Sequence, residues 1–95
     1  MSQPSTFQRR VVYYRGDVQG VGFRYTTQRI ASRYAVTGYV KNLPDGRVLV
    51  VVEGERADVD RFLAAVNDYL GHYVVDVQSS VHPAEGRFRG FGIEF

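Results

Sequence analysis

The sequence predicts an α+β sandwich in which two helices pack on one face of an antiparallel sheet, and three observations lead there. Runs of β-branched and aromatic residues alternate with two amphipathic stretches in the order βαββαβ, with a short extra segment at the end. The middle pair of strands is separated only by the turn sequence Leu-Pro-Asp-Gly, Leu43–Gly46, which closes a hairpin. The other two connections each carry a helix, and right-handed crossovers wrapped about a central hairpin leave both helices on the same side. That arrangement is the ferredoxin-like topology, and it leaves the other sheet face open.

Each element has its own signal. Met1–Thr6 is short, polar and proline-bearing and reads as a loose tail, so the folded domain is expected over residues 7–95. RRVVYYR, Arg9–Arg15, is the first strand. From Phe23 the bulky residues fall at Phe23, Thr27, Ile30, Ala31 and Tyr34, the one-sided spacing of an amphipathic helix, with Arg24 in its first turn. Thr37–Asn42 is the second strand and Arg47–Gly54 the third. In Glu55–Leu70, Val59, Phe62, Leu63, Val66 and either Tyr69 or Leu70 share a face, and Glu55, Asp58 and Asp60 crowd the end where a helix dipole favours acids. Tyr73–Val81 is the fourth strand, His82–Arg87 a loop, and Phe88–Phe95 a short strand or edge segment.

Composition narrows the function. A chain of 95 residues forms one domain, burying about 60% or slightly more of the surface its unfolded form exposes. There is no cysteine, which excludes disulfides, thiolate zinc sites and cysteine nucleophiles. The longest aliphatic run, Val48–Val52, falls far short of the ~18 residues that suggest a membrane span, and MSQPSTFQRR has no apolar core of a signal peptide. A soluble cytoplasmic protein without membrane association is the expectation. The net charge of +2 comes from scattered arginines and acids, not a basic patch, so nucleic acid is not the expected partner. Arginine-rich chains do suit small anions, because guanidinium pairs with phosphate through two hydrogen bonds. A monomer is expected, with Leu49 and Val51 on the open sheet face leaving dimerisation open.

The segment GDVQGVGFRY, Gly16–Tyr25, concentrates the chemistry. A glycine-rich loop leading into a helix N-terminus presents unpaired amides and a positive dipole end to an anion. By itself it is equally readable as a tight turn. Arg24 adds weight, because a cation in the first helical turn opposes the dipole unless an anion sits there. The loop lacks the Gly-Lys-Ser/Thr ending of a Walker motif and the third glycine of a dinucleotide fingerprint, so a nucleotide is not the expected occupant.

Topology links this loop to a second residue. The first and second strands run in the same direction on either side of the third, so their C-terminal ends lie roughly 10 Å apart, two strand spacings. Arg24 and Asn42 thereby approach one pocket. Asn42 has a plain reading, in which its side chain bonds the following turn. It has another in which the amide, one donor group and one acceptor, holds a water in line with a bound phosphorus. His72 and His82 have no partners at metal-ligand spacing and are taken as loop or surface residues. RGFGIEF, Arg89–Phe95, begins like the signature of RNA-recognition motifs, but it lies at the chain end, and the actual third strand has no aromatic to stack on a base.

GDVQGVGFR followed by GYVKNLPDGRVLVVVEG closely resembles the two signature segments of the acylphosphatase family, in order and spacing, over about residues 7–95. The resemblance implies a ferredoxin-like hydrolase that splits the carboxyl-phosphate bond of small acyl phosphates without metal or organic cofactor. Carried over by motif position, Arg24 binds the phosphoryl group and Asn42 positions the attacking water. Backbone amides of Gln19, Gly20, Val21, Gly22, Phe23 and Arg24 would cradle the phosphoryl oxygens. Two positions depart from the family pattern: Tyr14, read as a repacking of the strand, and Asp17, which either repels the substrate or points outwards to pair with an arginine such as Arg15. The alternative is a non-catalytic ferredoxin-like module that binds an anion or a protein. A related domain fronts larger hydrogenase-maturation carbamoyltransferases, but this sequence stops after the domain and has no zinc-finger cysteines.

Overall fold

In a computed structural model, residues 6–95 are described. The elements are β1 (Phe7–Gly16), α1 (Phe23–Ala31), β2 (Thr37–Asn42), β3 (Val48–Glu55), α2 (Arg56–Leu70), a 3₁₀ turn (Gly71–Tyr73), β4 (Val74–Pro83) and β5 (Phe91–Glu94). They form one sheet in the order β4-β1-β3-β2-β5. The expected loose tail falls mainly on residues 1–5, outside the described residues. Thr6 itself is held, since its hydroxyl donates to the Glu55 carboxylate and its carbonyl accepts from Arg56 N at 3.1 Å.

Alternation along the strands decides the core. Val12 and Tyr14 of β1, Val40 of β2 and Val48, Val50 and Val52 of β3 point to one face and are buried against the helices. α1 meets them with Phe23, Ile30 and Ala31, and α2 with Val59, Phe62, Val66 and Leu70. The ambiguity at the end of α2 resolves to Leu70, because Tyr69 is exposed. α1 ends at Ala31, so Tyr34 lies beyond the helix and packs edge-on to Phe62 with ring centroids 6.4 Å apart.

Three expectations need correction. The sheet is mixed, not purely antiparallel: β5 pairs in parallel with β2, Gly38 opposite Phe91 through Lys41 opposite Glu94. The reason is the route of the chain, which leaves β4 at one edge, crosses the sheet, and enters the opposite edge in the direction of β2. That crossing, residues 84–90, also covers part of the face expected to be open. Glu85 N and Gly86 N donate to the two oxygens of Glu53 at 2.7 and 2.9 Å, Arg9 pairs with Glu85 at 2.8 Å, and Phe88 packs against Tyr39. Val51 is consequently 5% exposed and offers no contact surface for a second copy. Finally, His82 and Pro83 belong to β4 rather than to a loop, and His82 Nε2 lies 2.9 Å from Ser80 Oγ.

The resemblance of RGFGIEF to an RNA-binding signature dissolves in the same way. Phe91 turns into the core and meets Phe62 with ring centroids 5.4 Å apart, so it presents no face to a base.

Candidate active site

β1 and β2 both pair with β3 antiparallel, so they run together and end at the same end of the sheet. The loop after β1 and the last residue of β2 therefore face each other. Between them lies a cleft of about 280 Å³ lined by Val18, Gly20, Gly22, Phe23, Arg24, Tyr25, Asn42, Ile93 and Phe95. Gly20, Gly22, Phe23, Arg24 and Asn42 come together there; Gln19 and Val21 do not line it.

The loop's shape follows from its glycines. Gly20 and Gly22 have φ of 80° and 76°, a region that L side chains rarely adopt. A Cβ at either position would meet nothing within 4 Å, so the backbone conformation, not crowding, selects glycine. Gly22 is the residue before α1, and the first intrahelical bond runs from Thr26 N to Gly22 O at 2.9 Å. The amides of Phe23, Arg24 and Tyr25 thus precede the first donor that the helix can satisfy, as at every helix start. Behind the loop, Tyr14 is buried and its ring tilts against Phe23 with centroids 5.2 Å apart. Burial pushes the Tyr14 phenol well above its ordinary pKa, so it stays neutral as packing for the residue that precedes Arg24.

Arg24 reaches from the first turn of α1 towards the end of the chain. Its guanidinium lies over the Phe95 ring, 4.9 Å from the centroid, and Nη1 donates a long hydrogen bond of 3.4 Å to Glu94 O. Among the described residues no carboxylate forms an ion pair with it, whereas Arg9, Arg10, Arg47, Arg56, Arg61 and Arg87 all have one. Arg15, Arg29, Arg33 and Arg89 likewise form no ion pair among the described residues, so what sets Arg24 apart is that it lines this cleft with most of its hydrogen-bonding capacity unspent.

Asn42 shows the complementary condition. The turn beyond it is closed by Leu43 N to Arg47 O at 2.8 Å, by Gly46 N to Leu43 O at 3.1 Å and by Arg47 N to Asp45 Oδ1 at 3.1 Å. Asp45, not Asn42, supplies the side-chain bond that holds the turn. Asn42 Oδ1 is buried and has no hydrogen-bond partner among the described residues. A buried acceptor left unpaired costs about 1–3 kcal/mol, a penalty expected where a ligand or water supplies the donor.

The sequence reading missed Val18, Tyr25, Ile93 and Phe95 as cleft residues. Ile93 and Phe95 arrive through β5, whose parallel pairing with β2 no short-range pattern encodes. Asp17 is exposed and not among the cleft residues, and it enters no ion pair with Arg15 among the described residues. Its backbone N–H donates to Tyr73 O at 2.9 Å and fixes the start of the loop. Among the described residues no cluster of three or more His, Cys, Asp or Glu is placed to hold a metal, and no helix is long and apolar enough to cross a membrane.

A glycine loop, an arginine without an ion-pair partner among the described residues and a buried amide oxygen thus meet around one cleft of an α+β ferredoxin-like sandwich. Comparisons with known proteins go further. The family model for acylphosphatase matches residues 10–93, and the chain belongs to the acylphosphatase family. An acylphosphatase of Rubrobacter xylanophilus is 45% identical over 83 residues, covering 86% of this chain and 76% of that one. An acylphosphatase of Archaeoglobus fulgidus is 56% identical over 55 residues, a match spanning 58% of this chain and 62% of the relative. The crystal structure of acylphosphatase from Bacillus subtilis superposes with a TM-score of 0.81 at 33% identity, covering 94% of this chain and 99% of that chain. Family and fold together support acyl phosphate hydrolysis in general.

Proposed function

We propose that the chain hydrolyses small acyl phosphates to a carboxylate and inorganic phosphate by in-line attack of water, with Arg24 and the cleft-lining loop residues Gly20, Gly22 and Phe23 holding the phosphoryl group and Asn42 holding the water. What carries the reading is the buried, unpartnered Oδ1 of Asn42 in the cleft that Arg24 also lines. An acceptor so placed takes a hydrogen from water and aims the water's lone pair across the cleft at phosphorus.

Each group has a physical task. The Arg24 guanidinium and the amides at the start of α1 bind the phosphoryl oxygens and stabilise the charge they carry as the phosphorus moves between oxygens. Water forms the new P–O bond while the bond from phosphorus to the carboxyl oxygen breaks, and the carboxylate leaves with the bonding pair. A carboxylate is a good leaving group, so a strong general acid is unnecessary. The water's proton passes to a phosphoryl oxygen of the substrate, which explains how a cleft lined by no Asp, Glu or His can suffice.

Steady-state hydrolysis of benzoyl phosphate by the wild type, Arg24→Ala and Asn42→Ala tests this. Each substitution is expected to lower kcat/KM by about 100-fold or more, Arg24→Ala through binding as well as turnover and Asn42→Ala chiefly through kcat. Wild-type turnover no better than that of Asn42→Ala overturns the reading. Phosphate binding without turnover would then favour the non-catalytic anion-binding module.

A further inference from the structure

Gln19 lies in the glycine loop, yet its side chain turns away from the cleft. Its Nε2 donates to Leu43 O at 2.8 Å and to Arg47 O at 3.0 Å, across sequence separations of 24 and 28 residues. Two carbonyls can only accept, so the NH₂ end of the amide must face them and the orientation is chemically determined. Both carbonyls already serve the hairpin turn: Arg47 O accepts from Leu43 N at 2.8 Å, and Leu43 O accepts from Gly46 N at 3.1 Å. With Gln19 added, each carbonyl uses both lone pairs and the amide nitrogen uses both hydrogens. The junction is saturated, and no other side chain described makes two bonds across the loop and the hairpin.

The consequence lies in what adjoins the junction. Gly20 follows Gln19 in the chain and lines the cleft; Asn42 precedes Leu43 and lines it from the other side. The loop is also held by Asp17 N to Tyr73 O, towards β4, by the α1 start, and by Val18, buried in the core; among the described residues only Gln19 hydrogen-bonds the hairpin turn from the loop. We propose that Gln19 is a positioning residue: its side-chain amide is a strut that sets the distance between the phosphate-holding half of the cleft and the water-holding half. The proposal rests on the acyl phosphate reading above. The strut acts through Asn42 and needs no contact with substrate.

Gln19→Met keeps the length and removes both donors. The expected result is a fall in kcat of about 10- to 100-fold, since misplacing a reacting partner by ~1 Å costs on that scale. Competitive inhibition by inorganic phosphate should stay within about twofold, because the loop and Arg24 still bind the anion. In an Asn42→Ala background the same substitution should leave kcat within about twofold, the non-additivity of residues acting as one unit. Full kcat in Gln19→Met, equal losses in both backgrounds, or a change confined to phosphate inhibition would overturn the strut.

Gln19→Glu offers a second route if the methionine variant folds poorly. At neutral pH its carboxylate faces two carbonyls with no hydrogen to give, and as pH falls the protonated acid regains one donor. Its kcat relative to wild type should therefore rise towards low pH, and a flat ratio counts against the proposal. Amide hydrogen exchange separates the strut from the activity: exchange at Leu43 and Gly46 should be about tenfold faster in Gln19→Met. If the wild type hydrolyses no acyl phosphate, the functional reading fails while exchange still decides the strut; unchanged exchange removes it.

Discussion

Glu53 and Asn42 sit at opposite ends of the β2–β3 hairpin, Glu53 opposite Thr37 and Asn42 opposite Val48, and both bury side-chain oxygen. They differ in what meets that oxygen. Glu53 is 1% exposed, and its two oxygens accept from Glu85 N and Gly86 N. Asn42 Oδ1 meets no donor among the described residues. A buried polar group whose bonds are filled by the chain's own backbone pins one segment to another. One whose bond is unfilled, in a cleft beside an unpaired arginine, is free for a molecule that comes and goes.

Stability separates the two most sharply. Glu53→Ala removes two bonds to a charged acceptor, each worth about 1.5–3 kcal/mol, and should lower unfolding free energy by about 3 kcal/mol or more in urea titration. Residues 84–90 would loosen while the cleft, at the other end of the hairpin, keeps its activity in the folded fraction. Asn42→Ala removes an acceptor that had no partner, so its stability should stay within about 1 kcal/mol of wild type or exceed it. Equal destabilisation by both would mean that Asn42 is a structural amide, and the contrast would collapse.

The same pair marks how far sequence reaches. The βαββαβ order, the hairpin at Leu43–Gly46 and the approach of Arg24 to Asn42 were legible, because periodicity, turn chemistry and crossover handedness are short-range or topological rules. The partnering of Glu53 was not. It depends on a seven-residue crossing between β4 and β5 whose path is set by where β5 finds an unpaired edge. Ile93 and Phe95 entered the cleft by that route too. The Gln19 contacts span 24 and 28 residues and end on backbone carbonyls, which carry no residue identity and leave no signal in sequence.

Phe95 tests how firmly Arg24 is preset. A cation over an exposed aromatic ring is worth about 0.5–1 kcal/mol, so Phe95→Ala should raise KM for benzoyl phosphate about two- to fivefold through a less ordered guanidinium. Phe95→Tyr should restore it. A loss of kcat with KM unchanged would mean that the ring acts on the transition state instead.

Asp17 should have a smaller effect still. Exposed and outside the cleft, it can act on a dianionic substrate only through the field it adds to solvent. Asp17→Lys should lower KM by less than about twofold at low salt, the difference fading above ~0.1 M, where the Debye length is about 10 Å. A larger, salt-insensitive change would place the carboxylate against the substrate.

The smallest effect belongs to Asp45, which also separates turn from site. Its carboxylate accepts from Arg47 N at 3.1 Å and Arg47 Nε at 2.8 Å, and the backbone hydrogen bond foremost, then the Arg47 side chain, holds its pKa below the ordinary 3.8. A depressed carboxylate contributes stability above its unfolded pKa and loses it as pH falls through the folded value. Asp45→Asn keeps the acceptor for Arg47 N but not the charge, so it should melt slightly lower than wild type at pH 7. The two should converge as pH falls through the depressed folded-state pKa of Asp45 and its carboxylate becomes neutral too. Because Asp45 is solvent-exposed, the deficit should shrink in high salt as well. The hydrogen bonds from Gln19 end on carbonyls of this same turn and involve no titrating group, so kcat of Asp45→Asn at pH 7 should remain close to wild type. A variant whose small melting deficit came with a large fall in kcat would show that charge at the turn, rather than the Gln19 strut, holds Asn42 in place.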